Sequence, residues 1–473
     1  MTSDREKSVA LPESVDAELT SHLIRPDGQE DITFALWSPS EGRSRDTALV
    51  HTVVLPRSGE RAVHGNASVF PAYYERALEL AKKEKSGLVL LHSHLGPGWQ
   101  DMSPDDIAAE KKFAPATLTM TGLPLLGTTV GTDGMWSGRW WPYAGQRTYR
   151  RVWCKSVRVV GKRLRTDFCR DLAPVPPFRE LFKRTATVWG PKNHSDLARL
   201  RVGIVGLGSV GSIVAETLAR MGLTSFVLID FDELQPHNLD RVLGAGMRDL
   251  GKLKVHVAEQ AIRFAATAES VEVQAVPHSI AEVEGYKAAL DCDVLFSCVD
   301  RPRARSILNH LAYAHLIPVV DGGIQVRLPN GIFSGVDWQL QTVAPERPCL
   351  ACLGTFSASD VSCEADGHLD DPSYLDGLPA DHRFKRNENV FPFSANLASL
   401  EVLQMVALVT GLAKQPEIGV QRYRYVPGIL DVSTARRCDE SCEMKKLTGL
   451  GDRYFTLTGR DHAAEAARLR QGG

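Results

Sequence analysis

The stretch Arg201-Val-Gly-Ile-Val-Gly-Leu-Gly-Ser-Val-Gly211 decides the fold of the second half of the chain. A strand-like apolar run leads directly into a glycine-rich turn and a helical pattern over Ser209–Met221. Glycine lets the backbone approach a phosphate closely, and the free N–H groups at a helix N-terminus bind an anion. Asp230 ends the next strand-like run, where a carboxylate can bind ribose hydroxyls. The pattern predicts a nucleotide site formed by Gly206, Gly208, Gly211 and Asp230, and a dehydrogenase is the first interpretation it suggests.

Further strand-like runs alternate with helical patterns after Leu200. These runs are Ser225–Ile229, Val271–Ala275, Asp293–Ser297 and Ile317–Val320. Such alternation is typical of a doubly wound α/β fold with a mainly parallel sheet. Because the carboxyl ends of parallel strands meet at one edge of the sheet, we expect the residues that follow them to share one site.

Charged and polar residues after these strands indicate ATP rather than a dinucleotide. Asn238, Arg241 and Lys254 follow Asp230, and Asp300 follows a later strand. Hydride transfer has little need of this set. A site that splits ATP between its α and β phosphates needs cations to offset the charge of the leaving pyrophosphate. It also needs a carboxylate to hold Mg²⁺, for which Asp300 is the candidate.

This ordered set closely resembles the ThiF-type adenylating enzymes, whose fold is shared by ubiquitin-activating enzymes and activators of sulfur-carrier proteins. The resemblance runs from about Arg184 to Cys442. It implies that Asp230 binds the ribose, that Asp300 binds magnesium, and that three residues bind phosphates, namely Asn238, Arg241 and Lys254. It further implies a homodimer in which Arg184 reaches into the ATP site of the opposite subunit. In that chemistry, the C-terminal glycine carboxylate of a small protein attacks the α-phosphate and forms an acyl-adenylate.

The chain has nine cysteines, and this odd number in a chain that lacks the apolar core of a signal peptide argues against a disulfide scaffold. Two close pairs separated by a long insertion suit a structural zinc site of four thiolates. The pairs are Cys349 with Cys352 and Cys438 with Cys442, the second being one residue wider than is usual in the ThiF family. At Cys363, relatives carry the cysteine that takes the acyl group as a thioester or a persulfide. The alternative is a free loop thiol.

A second candidate site lies in the first half of the chain, where His92-Ser-His94 ends an apolar run. Residues i and i+2 of a strand point to the same face, so both imidazoles can bind one ion. Ser103 and Asp106 follow in a pattern that begins a helix, with Pro104 in its first turn. Two imidazoles, one carboxylate and an open fourth position make a catalytic zinc site. The alternative is an ordinary helix start beside a chance histidine pair.

The order His-x-His, short loop, Ser-x-x-Asp resembles the JAMM/MPN metalloproteases, an α/β family that cleaves ubiquitin-like proteins from their targets. The resemblance covers about residues 20–145. It implies that His92, His94 and Asp106 bind zinc and that Ser103 helps to stabilise the developing oxyanion. Two departures are a loop one residue longer than usual between His94 and Ser103, and a leucine in place of the usual proline after His94.

The JAMM/MPN family also needs an upstream glutamate as general base. Glu30 fits best, because it directly precedes the apolar run Ile32–Trp37 and the family glutamate precedes such a strand. Glu18 and Glu41 are the alternatives.

Composition and charge limit the class of protein. The formal net charge of −2, with 43% hydrophobic and 24% charged residues, is typical of a globular protein and gives no global attraction to nucleic acid or an anionic membrane. The apolar stretch Leu397–Ala413 contains Glu401 and is predicted to be too short to span a bilayer. We therefore expect a cytoplasmic protein. The predicted segments are a loose N-terminus (1–20), a metalloprotease domain (21–148), a basic Pro-rich linker (149–180), an adenylating domain (181–445) and a charged tail (446–473).

Together the two resemblances predict a bifunctional, bacterial-type enzyme of a ubiquitin-like pathway. A zinc isopeptidase or processing protease would be fused to an ATP-dependent activator of a ubiquitin-like protein ending in Gly-Gly, with a conjugating enzyme as a further candidate partner. The alternative is activation and release of a sulfur-carrier protein in cofactor or amino-acid biosynthesis. A third hypothesis makes one half an inactive binding module.

Two further segments carry predictions. The polar stretch 364–389 is predicted to be a mobile crossover over the adenylate site, because it is too long to be only a connection. The end of the chain, Gly472-Gly473, resembles the diglycine end of a ubiquitin-like protein. No β-grasp pattern precedes it, so chance or a solvated tail is the favoured interpretation.

Overall fold

The computed structural model describes residues 5–177, 179–378, 388–411, 418–454, 457 and 460–471. The chain divides into two compact units, each with its own sheet. The first unit is Met1–Val175 with Ala314–Leu316 and Lys445–Phe455, and the second is Pro176–Tyr313, Ile317–Met444 and Thr456–Gly473.

The first unit is built on a mixed β-sheet with helices on both faces. Its strands are β1 (Glu6–Pro12), β2 (Ile32–Glu41), β3 (Arg45–Val54), β4 (Arg61–His64), β5 (Asn66–Val69), β6 (Gly87–Ser93), β7 (Leu125–Val130), β8 (Trp136–Trp141), β9 (Tyr143–Gly145), β10 (Thr148–Tyr149), β11 (Val152–Trp153), β12 (Ser156–Val160) and β13 (Leu164–Phe168). Its helices include α1 (Glu13–Leu23), α2 (Pro71–Lys83) and α3 (Pro104–Thr121). Nine strands form the main sheet in the order β11-β8-β7-β6-β2-β3-β1-β12-β13, and β4-β5 and β9-β10 form two small hairpins.

Alternation along β2 shows how the two faces of this sheet are covered. Ala35 and Trp37 pack in a core shared with α1, while Phe34 and Leu36 pack in a second core shared with α2 and α3. Successive side chains of a strand point to opposite faces, so one strand contributes to both cores. The second core positions α3, whose first turn carries Asp106.

The prediction that residues 1–20 are loose is wrong for residues 5–20, the part of this segment that the structure describes. Strand β1 lies inside the main sheet, parallel to both β3 and β12, and α1 packs on the sheet through Val15, Leu19 and Leu23. A strand buried on both faces shows no alternation of polar and apolar residues. The short apolar run Val9-Ala-Leu11 therefore did not predict a strand.

The prediction that residues 149–180 are a linker is also wrong over much of its length. Strands β12 and β13 pair antiparallel across Ser156 and Phe168 and extend the main sheet. The proline-rich run that suggested a linker comes only after them.

The second unit has a sheet of eight strands with helices on both sides. Its strands are β14 (Arg201–Val205), β15 (Ser225–Ile229), β16 (Glu272–Val276), β17 (Val294–Ser297), β18 (Val319–Arg327), β19 (Gly335–Val343), β20 (Val420–Arg424) and β21 (Ile429–Ser433). The remaining α-helices among the described residues are α4 (Lys183–Trp189), α5 (Pro191–Ala198), α6 (Ser209–Arg220), α7 (Lys254–Ala265), α8 (Val283–Ala289), α9 (Pro302–Ala314), α10 (Ala358–Ala365), α11 (Pro372–Gly377), α12 (Phe391–Thr410), α13 (Glu443–Leu447) and α14 (His462–Gln471).

The doubly wound arrangement predicted for this unit is confirmed. Five strands run parallel in the order β16-β15-β14-β17-β18, and β19, β20 and β21 continue the sheet antiparallel. The chain moves from β14 outward to β16 and then returns to β17 on the other side of β14. In open α/β sheets, ligands bind where the strand order reverses, outside the carboxyl ends of the strands. Here that place lies after β14 and β17.

Helix α12 differs from the sequence prediction in length. It has 20 residues and is long and apolar enough to cross a membrane by length and composition alone, so the prediction that this stretch is too short is wrong. Half of its most apolar window is buried within the fold, where Leu397 and Glu401 are shielded from solvent.

The segment 364–389, predicted to be a crossover loop, is partly helical where it is described. Helix α10 ends at Ala365, a 3₁₀ turn covers His368–Asp370, and α11 follows. Residues 379–387 of this segment lie outside the described residues, as does Gly472-Gly473.

Candidate functional site

His92, His94 and Asp106 come together at one end of β6. The Nε2 atoms of the two histidines are 3.1 Å apart, and the Asp106 carboxylate oxygens lie 3.5 Å from His92 Nε2 and 3.3 Å from His94 Nε2. Tetrahedral zinc with N and O ligands at about 2.0–2.1 Å places those ligands about 3.3 Å from one another. The three predicted ligands therefore have the spacing of a zinc site, and they could hold a metal ion.

Each ligand is fixed by its own element. His92 lies in β6 opposite Thr129 of β7, and the backbone N–H of His94 donates to the carbonyl of Val130. Ser103 caps α3: its hydroxyl accepts from the Asp106 N–H at 3.1 Å, and the Asp106 carboxylate accepts from the Ser103 N–H at 2.8 Å. Burial would raise the pKa of Asp106, but hydrogen bonds from His92, His94 and Ser103 hold it well below its usual range. Asp106 is thus a carboxylate ready to bind a cation.

A buried charged network supports His92 and was not found from the sequence. Thr129 Oγ1 lies 3.4 Å from His92 Nε2 and accepts from Arg139 at 2.6 Å. Arg139 in turn donates from Nε to both carboxylate oxygens of Glu110, at 3.0 and 3.1 Å, and Trp141 donates to Glu110 as well. Arg139 and Glu110 are both fully buried. The sequence feature that could have indicated this network is Arg139, a charged residue within the aromatic stretch Trp136–Trp141.

Glu30 lies next to this cluster, whereas Glu18 and Glu41 do not. The residue pair Ile32 and His92 aligns β2 with β6, so Glu30 just precedes the strand end beside the histidines. The pKa of His94 is raised mainly by its hydrogen bond with Asp106, and the Glu30 carboxylate contributes to that rise. Glu41 lies at the other end of β2, about 30 Å along the strand from the end beside the histidines. Glu18 is exposed on α1. The structure thus brings Glu30, the first choice, to the site.

The four predicted zinc-binding cysteines of the second unit also converge. Cys349 Sγ lies 3.7 Å from Cys442 Sγ, and the Cys349 N–H donates to Cys438 Sγ at 3.1 Å. Zinc–thiolate bonds of about 2.3 Å imply sulfur–sulfur distances of about 3.8 Å in a tetrahedral site. The pKa of Cys438 is lowered to about 5, because the Cys349 thiol donates to it. Cys352 completes a set that could hold a zinc ion.

A cavity of about 890 Å³ opens where the strand order of the second sheet reverses. It is lined by all but one of the residues predicted to bind nucleotide, magnesium or phosphate: Gly206, Gly208, Asp230, Asn238, Arg241, Lys254 and Asp300. Gly211 does not line it but has a packing role, since a Cβ there would come within 1.9 Å of the Gly206 carbonyl oxygen. At Gly208 a Cβ would meet nothing within 4 Å, which leaves the space in front of α6 open for a ligand.

Carboxylates and a lysine form one charged cluster in the cavity. Asp230 accepts from the Leu207 N–H at 2.6 Å and from the Asp232 N–H at 2.8 Å, and burial raises its pKa. Burial alone would lower the pKa of Lys254, but Asp230, Asp232 and Asp300 together raise it, so the ammonium stays charged. Asp232, which binds Lys254 at 2.8 Å, is a cavity residue that the sequence analysis missed.

The remaining predicted residues take different places. Asn238 is buried and accepts from the Gln235 N–H, and the Arg241 guanidinium donates to the His237 carbonyl at 2.7 Å. Asp300 is exposed to the cavity. Arg184 is exposed on α4 and is not among the residues that line the cavity of its own chain.

Cys363 lies close to the cavity without lining it. It is half-buried on α10, whose Asp360 and Glu364 do line the cavity. Its thiol lies 3.4 Å from the Tyr374 hydroxyl, and the Tyr374 ring stacks on His368. The structure places this cysteine on a helix rather than on the loop of the alternative interpretation.

The sequence model of the ThiF family matches residues 182–443, more than half of the chain. The chain is a member of the ThiF family. The matched segment begins at Phe182, at the end of the 3₁₀ turn before α4, and ends after the four-cysteine cluster, so it includes every cavity-lining residue apart from Asp461 and those of α14.

Two curated relatives show how far the similarity of this ThiF-family protein extends. It is 27% identical over 173 residues to ubiquitin-like modifier-activating enzyme 5 of Branchiostoma floridae, covering 34% of this chain and 40% of that protein. It is 28% identical over 164 residues to the SAMP-activating enzyme E1 of Haloferax volcanii, covering 35% of this chain and 57% of that protein. The chain therefore matches about half the length of these relatives.

Among solved structures, Escherichia coli MccB with ATP aligns at 16% identity with a TM-score of 0.43, covering 57% of this chain and 76% of that chain.

Proposed function

We propose that the second unit adenylates the C-terminal glycine of a small protein of the ubiquitin-like class, using ATP and magnesium. The observation that carries this proposal is the single cavity in which a glycine turn, Asp230, Lys254 and Asp300 meet at the strand-order reversal. Membership of the ThiF family and the names of the two curated relatives support the choice of substrate class.

Different residues of the cavity would bind different parts of ATP. Asp230, fixed by two backbone N–H groups, can accept from ribose hydroxyls. The open space at Gly208 and the N-terminus of α6 favour the phosphates, and Lys254 and Arg241 offset the charge that develops on pyrophosphate. Bound Mg²⁺ would neutralise phosphate charge, and Asp300 is the exposed carboxylate available to hold it.

Pyrophosphate–ATP exchange tests this function. With a Gly-Gly-ended small protein, the wild type should exchange label from pyrophosphate into ATP, and Asp300→Ala should lower the rate by at least about a hundredfold. Asp249→Ala is the matched control, because Asp249 lies outside the cavity lining and its carboxylate binds Lys252 and the Gly246 N–H. Exchange at the wild-type rate in Asp300→Ala would refute the assignment.

We propose further that the first unit is a zinc-dependent isopeptidase of the JAMM/MPN type. The supporting observation is the spacing of His92, His94 and Asp106, with Glu30 beside His94. Zinc in that site would lower the pKa of a bound water. Glu30 is the group placed to take its proton, and the Ser103 hydroxyl is near enough to the cluster to donate to an oxyanion.

Cleavage of a fusion joined through Gly-Gly to a target peptide tests the isopeptidase. Glu30→Gln should keep its zinc and lose at least about a thousandfold in kcat, because the general base is removed. Glu41→Gln should cleave like the wild type. A Glu30→Gln protein that cleaves normally would move the general base elsewhere.

The same proposal includes a cytoplasmic location, a homodimer in which Arg184 reaches into the ATP site of the opposite subunit, and Cys363 as the acyl acceptor. A conjugating enzyme would receive a thioester from Cys363, whereas in a sulfur-carrier pathway a persulfide donor would transfer its outer sulfur to the Cys363 thiolate and leave as a thiolate. Mass analysis of the adduct on Cys363, with Cys363→Ser as the blank, separates these two outcomes.

A further inference from the structure

Helix α14 forms one wall of the nucleotide cavity although it lies outside the family segment. Ala463, Ala466 and Arg470 line the cavity together with Asp230 and Lys254. These three residues follow one another at spacings of three and four, so they share one face of the helix. The family match ends at residue 443 and assigns no role to α14.

Three contacts hold the α14 segment against the carboxyl edge of the parallel sheet. Arg303, after β17, donates to the carbonyl of Arg460. Arg468 pairs with Glu282, in the segment after β16, and Gln471 donates to the carbonyl of Phe231, two residues after β15, at 3.3 Å. A helix of this length extends about 15 Å, which is about the width of the four neighbouring strands from β16 to β17. The helix therefore crosses the edge at which the nucleotide is expected.

Small side chains on α14 allow the helix to lie close to the carboxyl edge of the sheet. Ala463, Ala464 and Ala467 are at most 9% exposed, so the buried positions of the helix carry only methyl groups. Arg470 is different, because it is exposed and lines the cavity, and within the described part of the chain its guanidinium forms no ion pair. A guanidinium with this freedom is available to a ligand.

The neighbour of Arg470 shows which part of the nucleotide it faces. Gln471 is bound to the carbonyl of Phe231, the residue that follows Asp230. Asp230 is the candidate ribose-binding carboxylate, whereas the phosphates are expected at the glycine turn before α6. Guanidinium groups stack on aromatic faces and donate to ring nitrogens and hydroxyls. Arg470 thus lies on the nucleoside side.

We propose that α14 completes the nucleotide site and that Arg470 contacts the purine and ribose of bound ATP. This inference rests on the proposed adenylation function. It assigns a nucleotide-contacting residue to the C-terminal extension, beyond the set shared with the ThiF family. We also expect that replacing Arg470 weakens the binding of ATP and of AMP, which lacks the β and γ phosphates, to the same degree.

Calorimetric titration of the full chain tests the proposal with two probes, an α,β-methylene ATP analogue with Mg²⁺ and AMP. Arg470→Ala should weaken the binding of each probe by about tenfold, the size expected from losing one stacked cation. Leu469→Ala is the matched control, since Leu469 is 80% exposed, and it should bind both probes like the wild type. Thermal melting confirms that each variant is folded.

The outcomes separate this inference from the proposed function. Wild-type protein that binds neither probe would overturn both. Wild-type binding with an unchanged Kd in Arg470→Ala would overturn the role of Arg470 alone. A loss seen with the ATP analogue but not with AMP would place Arg470 on the phosphates and contradict the nucleoside assignment. Tighter binding in Arg470→Ala would show that α14 obstructs the site.

Discussion

The histidine cluster takes its three ligands from residues 92–106, whereas the cysteine cluster joins residues 349–352 to residues 438–442. Both have the ligand spacing of tetrahedral zinc. The histidine cluster leaves a fourth position open beside Glu30, and its ligands are already held by β6 and by the cap of α3. The cysteine cluster has four ligands and ties two distant segments together. Ligand number and sequence separation thus distinguish the proposed reactive site from the proposed structural one.

The largest expected effect is on the cysteine cluster. Cys438→Ser should release zinc and lower the stability of the second unit by several kcal/mol, because structural zinc sites contribute about 10–16 kcal/mol of binding free energy to folding. Thermal unfolding measured with and without added zinc checks this. Cys363→Ser, which removes a half-buried thiol outside the cluster, is the control and should melt like the wild type. Equal melting of both variants would contradict a structural role for the cluster.

A smaller effect is expected from the network behind His92. Glu110→Ala leaves the Arg139 guanidinium buried and without its carboxylate, which should cost about 3–5 kcal/mol in the free energy of unfolding of the first unit. Glu110→Gln keeps an acceptor for Arg139 and should cost less. Denaturant unfolding of the two variants measures the difference. If both variants are as stable as the wild type, the network does not support the site.

The smallest effect on stability is expected at a histidine ligand itself. His92→Ala should abolish zinc binding at the first unit but change the unfolding free energy of the metal-free protein by only about 1 kcal/mol, because β6 and α3 are held by their own cores. Unfolding in the presence of a chelator checks this. A loss as large as that of Cys438→Ser would remove the distinction between the two clusters.

Local features of both sites could be predicted from the sequence, and long-range ones could not. The spacing of His92, His94 and Asp106 is set within one strand and one helix start, so local rules suffice. Strand β1 could not be predicted because it pairs with β12, which lies far away in the sequence, with Ser8 opposite Ser156. No local sequence pattern indicates such a pairing. The buried pair of Glu110 and Arg139 was missed for the same reason.

In the nucleotide cavity, too, local features could be predicted from the sequence and long-range contacts could not. The glycine turn and Asp230 follow from strand and helix periodicity, and the order of charged residues after each strand predicted which ones meet. The place of α14 could not be predicted, because it depends on contacts such as Arg468 with Glu282. A short alanine-rich helix at the end of a chain carries no pattern that identifies its partner.

The number of zinc ions per chain, measured by elemental analysis on purified protein, tests both clusters at once. We expect two in the wild type, one in His92→Ala and one in Cys438→Ser, with the His92→Ala protein still folded. A wild-type value of one that falls to zero in Cys438→Ser and does not change in His92→Ala would contradict the proposal that the first unit is a zinc isopeptidase.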